Sequence, residues 1–137
     1  MSLFSFSGTP PTDIGVNSGQ LKSCPDTPNC VNSQAPEGDK EHVIAPFSYT
    51  GSAQEAIARL KQIIEGMERS TINKVTDDYL YAEFSSKLMG FVDDVEFYAP
   101  PGESVIHTRT AARLGKSDLG VNRKRTEEIR AQFAAAS

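Results

Sequence analysis

Residues 78–112 read DYLYAEFSSKLMGFVDDVEFYAPPGESVIHTRTAA, and apolar and polar side chains alternate along most of that length. Alternation with a period of two is typical of β-strands that bury one face. Pro100-Pro101-Gly102 indicates a turn, since proline presets φ and glycine accepts the positive φ of a type II turn. With the run before it, this segment predicts an antiparallel meander of four strands, at about 70–76, 78–86, 91–99 and 104–112.

Helices are predicted on both sides of the meander. Ser52-Ala53-Gln54-Glu55 is a capping box, and apolar residues then recur at helical spacing as far as Met67. A second helix is predicted to begin near Val121, with Asn122 as its candidate N-cap.

The element order predicts the fold class. A further strand is expected over residues 43–50, at a sheet edge because Pro46 cannot donate a ladder hydrogen bond. The order is then β-α-β-β-β-β-α, an α+β fold whose antiparallel sheet of about five strands carries two helices on one face. This order resembles the TATA-binding-protein-like fold, and a helix-grip fold is the alternative.

The 137 residues fit one domain. Residues 1–40 contain clusters of proline and are predicted to form an extended N-terminal arm with a turn between Cys24 and Cys30, while residues 41–137 form a single α+β domain. Met1 to Gly8 lacks the basic start and apolar run of a signal peptide, and no apolar run approaches the ~20 residues of a membrane span. These absences favour the cytoplasm, and a periplasmic or lumenal compartment stays open.

Two surface features suggest partners. The net charge of −4 argues against binding of nucleic acid, but basic residues gather between residues 107 and 130, where an anionic partner is possible. The connection Lys87-Leu-Met-Gly-Phe91 places apolar side chains at a hairpin tip. If they are exposed, they indicate a docking point for a protein or a membrane surface.

Alternation divides the predicted strands into two faces. Leu80, Phe84 and Phe97 share the face that the helices are expected to cover. The opposite face, here called the polar face, is predicted to be exposed and to carry Tyr81, Glu83, Asp94, Glu96, His107, Arg109 and Arg113.

The leading hypothesis is a non-enzymatic binding or assembly module. The polar face and the Arg-rich helix start at Arg123 would bind a small anionic molecule or a protein partner. Alternatively, the charges only stabilise an exposed sheet, by roughly 0.2–1 kcal/mol per cross-strand pair. A further alternative is an enzyme in which His107 is a general acid or base beside Glu96 or Asp94.

Structural roles are assigned to four residues, Cys24, Cys30, Asp93 and Arg125. Asp93 faces the helices, where its carboxylate needs a partner such as Arg123, Arg125 or the amides of the last helix. Cys24 and Cys30 can close a disulfide loop in an oxidising compartment and stay free thiols in a reducing one. The oxidised state would favour a third hypothesis, a lumenal or periplasmic scaffold.

No metal or cofactor is predicted. The two cysteines, with His42 and His107, would supply four zinc ligands, but the C-x5-C spacing exceeds the usual two to four residues and the histidines are far apart in sequence. A cysteine nucleophile is also disfavoured, because Cys30 has no activating neighbour in sequence.

Three segments resemble those of the domain-of-unknown-function family 1499. They are Cys24-Pro-Asp-Thr-Pro-Asn-Cys-Val-Asn-Ser33, Gly90-Phe-Val-Asp-Asp-Val-Glu-Phe97 and His107-Thr-Arg-Thr-Ala-Ala-Arg-Leu-Gly115, the last continuing through Ser117 to Arg125. With His42 they extend the resemblance from about Cys24 to Phe133. The resemblance implies no activity, since the family is named for lacking an assigned one.

Overall fold

A computed structural model describes residues 8–86 and 90–136. These form two helices, α1 (Ala53–Glu65) and α2 (Val121–Ala135), and eight strands. The strands are β1 (Val16–Asn17), β2 (Gln20–Leu21), β3 (Cys30–Asn32), β4 (Phe47–Ser48), β5 (Ser70–Val75), β6 (Tyr79–Ser85), β7 (Val92–Tyr98) and β8 (Val105–Ala112). No helix among these residues is long and apolar enough to cross a membrane.

The predicted meander is confirmed, within a six-stranded sheet of order β3-β8-β7-β6-β5 in which β4 also pairs with β8. The strand expected over residues 43–50 is shortened to Phe47–Ser48, after Pro46. The sixth strand is β3, which lies within the predicted arm and pairs antiparallel with β8. The α+β class and the antiparallel sheet are therefore as predicted.

The core lies between the sheet and both helices. Leu80, Phe84 and Phe97 are buried there, as their alternation predicts, with Leu60 of α1 and Phe133 of α2. Helix α1 begins as expected, because the Glu55 N–H donates to Ser52 Oγ at 3.1 Å.

The start of α2 differs from the prediction that Asn122 is its N-cap. Gly120, with φ of 81°, occupies the cap position, and the Asp118 carboxylate accepts from the Gly120 and Asn122 N–H groups at 2.8 and 3.0 Å. Asn122 is fully buried inside the helix and hydrogen-bonds the Thr110 hydroxyl on β8. Its side chain therefore connects α2 to the sheet, and Asp118 caps the helix.

The polar face is covered by the N-terminal arm, so the prediction that it is exposed is wrong. Leu21 of β2 is buried against Tyr79 and Tyr98 on that face. Asp94, Glu96 and Arg109 are exposed by only 3%, 0% and 4%. The physical reason is that an antiparallel sheet buries its second face wherever another segment of the chain lies on it.

A disulfide joins Cys24 and Cys30, with a Cα–Cα distance of 5.7 Å. Cys30 is fully buried and begins β3, opposite Ala111. Asn29, just before it, accepts the Ala112 N–H through its carbonyl at 3.0 Å. The disulfide loop therefore ends on the strand that attaches the arm to the sheet.

Replacing both cysteines, as Cys24→Ala with Cys30→Ala, should lower the free energy of unfolding by about 2 kcal/mol, the loop-closure entropy of so short a loop. Urea denaturation of the oxidised protein and of the double variant measures the difference. The reduced wild-type protein should match the variant closely; equal stability of all three would contradict the expectation.

Candidate functional site

Glu96 and Arg109 are cross-strand neighbours on β7 and β8, and both are buried. Glu96 Oε2 accepts from the Tyr79 hydroxyl at 2.6 Å and from the Gly15 N–H of the arm at 2.8 Å. Its other oxygen, Oε1, is buried without a hydrogen bond, 3.9 Å from Arg109 Nη1. Burial raises the pKa of Glu96, an effect that these donors and Arg109 only partly oppose.

The side chain of Arg109 makes no hydrogen bond with any residue that the structure describes, and its Nε is buried without an acceptor. Its closest charged partner is Glu96, at a distance beyond hydrogen bonding. Burial lowers the pKa of Arg109, because its charge is removed from water without full compensation.

Arg113, only four residues along the chain, by contrast donates several hydrogen bonds to carboxylates. Its Nε and Nη2 donate to the two oxygens of Asp94 at 3.0 and 2.8 Å, and Nη2 also donates to Glu83 at 2.6 Å. The Tyr81 hydroxyl donates to Asp94 at 2.5 Å. Burial and the Asp94 carboxylate raise the pKa of Tyr81 to about 12, so Tyr81 keeps its proton.

A cavity of about 400 Å³, here called the arm pocket, lies between the N-terminal arm and the sheet. Arg109, Arg113 and Asp94 line its sheet side, beside Ala111 and Ala112. The arm side is lined by Thr9, Pro11, Ile14, Lys22, Ser23, Cys24 and Pro25. The pocket therefore combines cationic groups with apolar walls, and the disulfide forms part of one wall.

The sequence-predicted site residues do not all meet at this pocket. It brings together Asp94, Arg109 and Arg113, while Tyr81, Glu83 and Glu96 contact them from the adjoining sheet without lining it. Of the arm residues that line the cavity, only Cys24 was named from the sequence, in a structural role; Lys22 and the others were not predicted. Those residues follow no period, so no pattern in the sequence indicates that they cover the sheet.

His107 and Arg123 lie elsewhere. His107 Nδ1 is 2.9 Å from Ser33 Oγ, which also accepts the Thr108 N–H at 2.8 Å. The ring thus bonds a serine that continues the β3–β8 pairing, not Glu96 or Asp94. Arg123 donates to the carbonyls of Val43 and Glu41 at 3.0 and 3.2 Å, and so attaches α2 to that segment.

The residues assigned structural roles have defined partners. Arg125 Nη2 lies 2.9 Å from Asp93 Oδ2, which links the start of α2 to β7. Burial nevertheless raises the pKa of Asp93.

His42, one of the four side chains considered as zinc ligands, is hydrogen-bonded within the protein. Its Nε2 lies 2.8 Å from the Thr27 carbonyl in the disulfide loop, and its Nδ1 lies 2.7 Å from Asp39. Across residues 8–86 and 90–136, no group of three or more His, Cys, Asp or Glu side chains is arranged to hold a metal ion.

A protein-family model with the description "Protein of unknown function (DUF1499)" matches residues 20–133 of the sequence. The matched range includes both cysteines and every sheet residue of the arm pocket, and it excludes Thr9, Pro11 and Ile14. A search of the curated proteins found no match.

Replacing Arg113 by methionine should lower the free energy of unfolding by about 3–5 kcal/mol, because Asp94 would then be buried without its cation. Urea denaturation measures the loss. Lys61→Met is the matched control, since Lys61 pairs with Glu65 at the surface and its removal should cost less than about 1 kcal/mol. Equal losses in the two variants would contradict the structure.

The two histidines should give opposite pH dependences of stability. Burial lowers the pKa of His42, but bonding to the Thr27 carbonyl and Asp39 prevails and raises it above 6.5, so its contribution is full below pH 6.5 and is lost as the pH rises through the folded pKa. Burial lowers the pKa of His107, so its contribution to stability rises with pH up to about 6.5.

Urea denaturation between about pH 5 and pH 8 tests this with His42→Gln and His107→Gln, each compared with the wild-type protein. Difference curves remove the contributions of Asp93, Glu96 and other carboxyls, which are common to all three proteins. If stability differences for the two variants changed with pH in the same direction, the hydrogen bonds assigned to His42 or the burial assigned to His107 would be contradicted.

Proposed function

The chain belongs to the family described as "Protein of unknown function (DUF1499)", so its role must be argued from its own geometry, and we propose that it is a binding module for a small organic anion held in the arm pocket. One observation carries the proposal. Arg109 is buried at the pocket wall, and none of its guanidinium N–H groups donates to a residue that the structure describes.

The energetics of Arg109 favour an added acceptor. A guanidinium has five N–H donors, and burying a charged group without hydrogen bonds costs several kcal/mol. Glu96 supplies partial charge compensation at 3.9 Å but no hydrogen bond. A carboxylate or phosphate matches the planar fork of a guanidinium and would supply both charge and acceptors.

Asp94 and Glu83, two other carboxylates of the sheet, are already engaged by Arg113. Asp94 accepts from Arg113 and Tyr81, and Glu83 accepts from Arg113. Lys22, on the arm, adds a further cation at the pocket, although it pairs with Asp13 at 2.6 Å. Arg109 is therefore the cation in this cluster whose hydrogen-bonding capacity is unused.

The walls of the arm pocket favour a particular kind of anion. Its volume, about 400 Å³, lies in the range of small-molecule sites. Pro11, Ile14 and Pro25 on the arm face Ala111 and Ala112 on the sheet. A compact apolar body that carries one carboxylate would place its charge at Arg109 and its body between these walls.

The wild-type protein should be stabilised by benzoate, and less by acetate, at constant ionic strength in a chloride buffer. Binding at one hundred times the dissociation constant stabilises the folded state by about 2.7 kcal/mol. Arg109→Met should abolish the ligand-induced rise in melting temperature, whereas Lys61→Met should retain it. Differential scanning fluorimetry measures the rise.

Two outcomes would overturn the proposal. If Arg109→Met responds to benzoate as the wild-type protein does, the anion acts elsewhere. If neither protein responds to benzoate, acetate or inorganic phosphate, the arm pocket does not bind a small anion; a lower stability of Arg109→Met would then assign Arg109 a structural role only.

A further inference from the structure

Charges of both signs surround the arm pocket, and the carboxylates outnumber the cations. The pocket and the side chains paired with its lining carry three cations, Arg109, Arg113 and Lys22, and four carboxylates, Asp13, Glu83, Asp94 and Glu96. An anion that enters adds one more negative charge to a partly buried region, where like charges repel more strongly than in water. Binding of the anion is therefore favoured if one of the carboxylates takes up a proton.

Three of the four carboxylates are hydrogen-bonded to a cation. Asp94 and Glu83 accept from Arg113. Asp13 accepts from Lys22 at 2.6 Å, and this bond lowers the pKa of Asp13. Protonation of any of these three would weaken a charge-assisted hydrogen bond, the stronger kind in proteins.

Glu96 is the carboxylate that has no hydrogen bond to a cation. Its side chain is fully buried, and Oε2 accepts from two neutral donors, the Tyr79 hydroxyl and the Gly15 amide. Its Oε1 is buried without a hydrogen bond, 3.9 Å from Arg109 Nη1. Burial raises the pKa of Glu96, and its two hydrogen bonds and the charge of Arg109 oppose that rise only in part. Oε1 can therefore receive a proton without the loss of a hydrogen bond.

Both tyrosines that face Glu96 from β6 stay neutral. Burial raises the pKa of Tyr79, so its hydroxyl remains a donor to Glu96. Tyr81, the register partner of Glu96, donates to Asp94 instead, and burial raises its pKa to about 12. Neither tyrosine therefore supplies a charge that could compensate an incoming anion.

The charged neighbours of Glu96 lie on β7, β8 and the arm. Asp94, two residues before it on β7, adds a negative charge that raises the pKa of Glu96 beyond the effect of burial. Arg109 on β8 keeps its charge, since a guanidinium does not lose its proton in proteins. Asp13 of the arm also interacts with the charge of Arg109. Arg109 is thus already shared between carboxylates before an anion arrives.

We propose that the arm pocket binds its anion together with a proton, and that Glu96 is the residue that takes the proton. This inference rests on the anion site at Arg109 proposed above. A ligand carboxylate on Arg109 would place two carboxylates on one buried guanidinium, an arrangement that favours protonation of one of them. The proton moves from solvent to Glu96 Oε1, so the cluster gains no net charge on binding. By reciprocity, protonation of Glu96 strengthens anion binding, and the pocket holds its ligand more tightly as the pH falls.

Isothermal titration calorimetry of benzoate with the full chain tests this linkage between about pH 5.5 and pH 8, a range in which benzoate stays ionised. The Kd of the wild-type protein should rise with pH, by up to about tenfold per pH unit where one proton is taken up. Glu96→Gln resembles protonated Glu96 in shape and charge. It should therefore bind benzoate more tightly than the wild-type protein at the upper end of the range, with a Kd nearly independent of pH.

His107→Gln is the matched control for the pH dependence. His107 lies two residues before Arg109 on β8 and also titrates, but it bonds Ser33, and burial lowers its pKa. His107→Gln should therefore keep the wild-type change of Kd with pH. A second measurement needs no variant: addition of benzoate to the wild-type protein in weakly buffered chloride solution near the lower end of the range should raise the pH, because protons are taken up.

The outcomes separate this proposal from the anion site itself. A wild-type Kd independent of pH, with no proton uptake, would overturn the proton linkage and leave the anion site intact. So would the wild-type pH dependence persisting in Glu96→Gln, or disappearing in His107→Gln. Absence of benzoate binding at every pH, in the wild-type protein and in Glu96→Gln alike, would overturn the anion site and the linkage together.

Discussion

Burial of ionised side chains on the polar face is the constraint around which this molecule is organised. An antiparallel sheet normally leaves such a face to water. Here the arm lies on it, and each charge then needs a protein partner. Asp94 obtains Arg113 and Tyr81, and Glu96 obtains Tyr79 and the Gly15 amide of the arm itself. The arm is thus both the cause of the burial and part of the compensation.

The architecture could be predicted from sequence because its signals are periodic. Alternation assigned Glu96 and Arg109 to one face, and helical spacing assigned the buried stripe of α1. The covering of that face by the arm could not be predicted, because alternation indicates which side chains share a face and not what lies on them. Strands β1 and β2 have only two residues each, too short to show a period.

The candidate site shows a second limit of prediction from sequence. Arg109 and Arg113 have the same chemistry, and both were assigned to the same face. The difference between them is one of distance: Arg113 lies 2.6 Å from Glu83, whereas Arg109 lies 3.9 Å from Glu96. A difference of about one ångström separates a guanidinium that is hydrogen-bonded to carboxylates from one that is not. Asn122 is similar, since its residue type fits a helix cap and a buried bridge equally well.

The pairing of β8 with β3 and β4 has a consequence for the order of folding. Strands β5 to β8 are neighbours in sequence, whereas Cys30 pairs with Ala111 across most of the chain. Loop closure over such a separation costs more entropy than closing a hairpin, so the meander should assemble before the arm attaches. The Cys24–Cys30 disulfide does not shorten that long loop. The arm should therefore detach first under stress, as a cooperative unit of lower local stability, and its transient release would give a molecule from solution access to the sheet beneath.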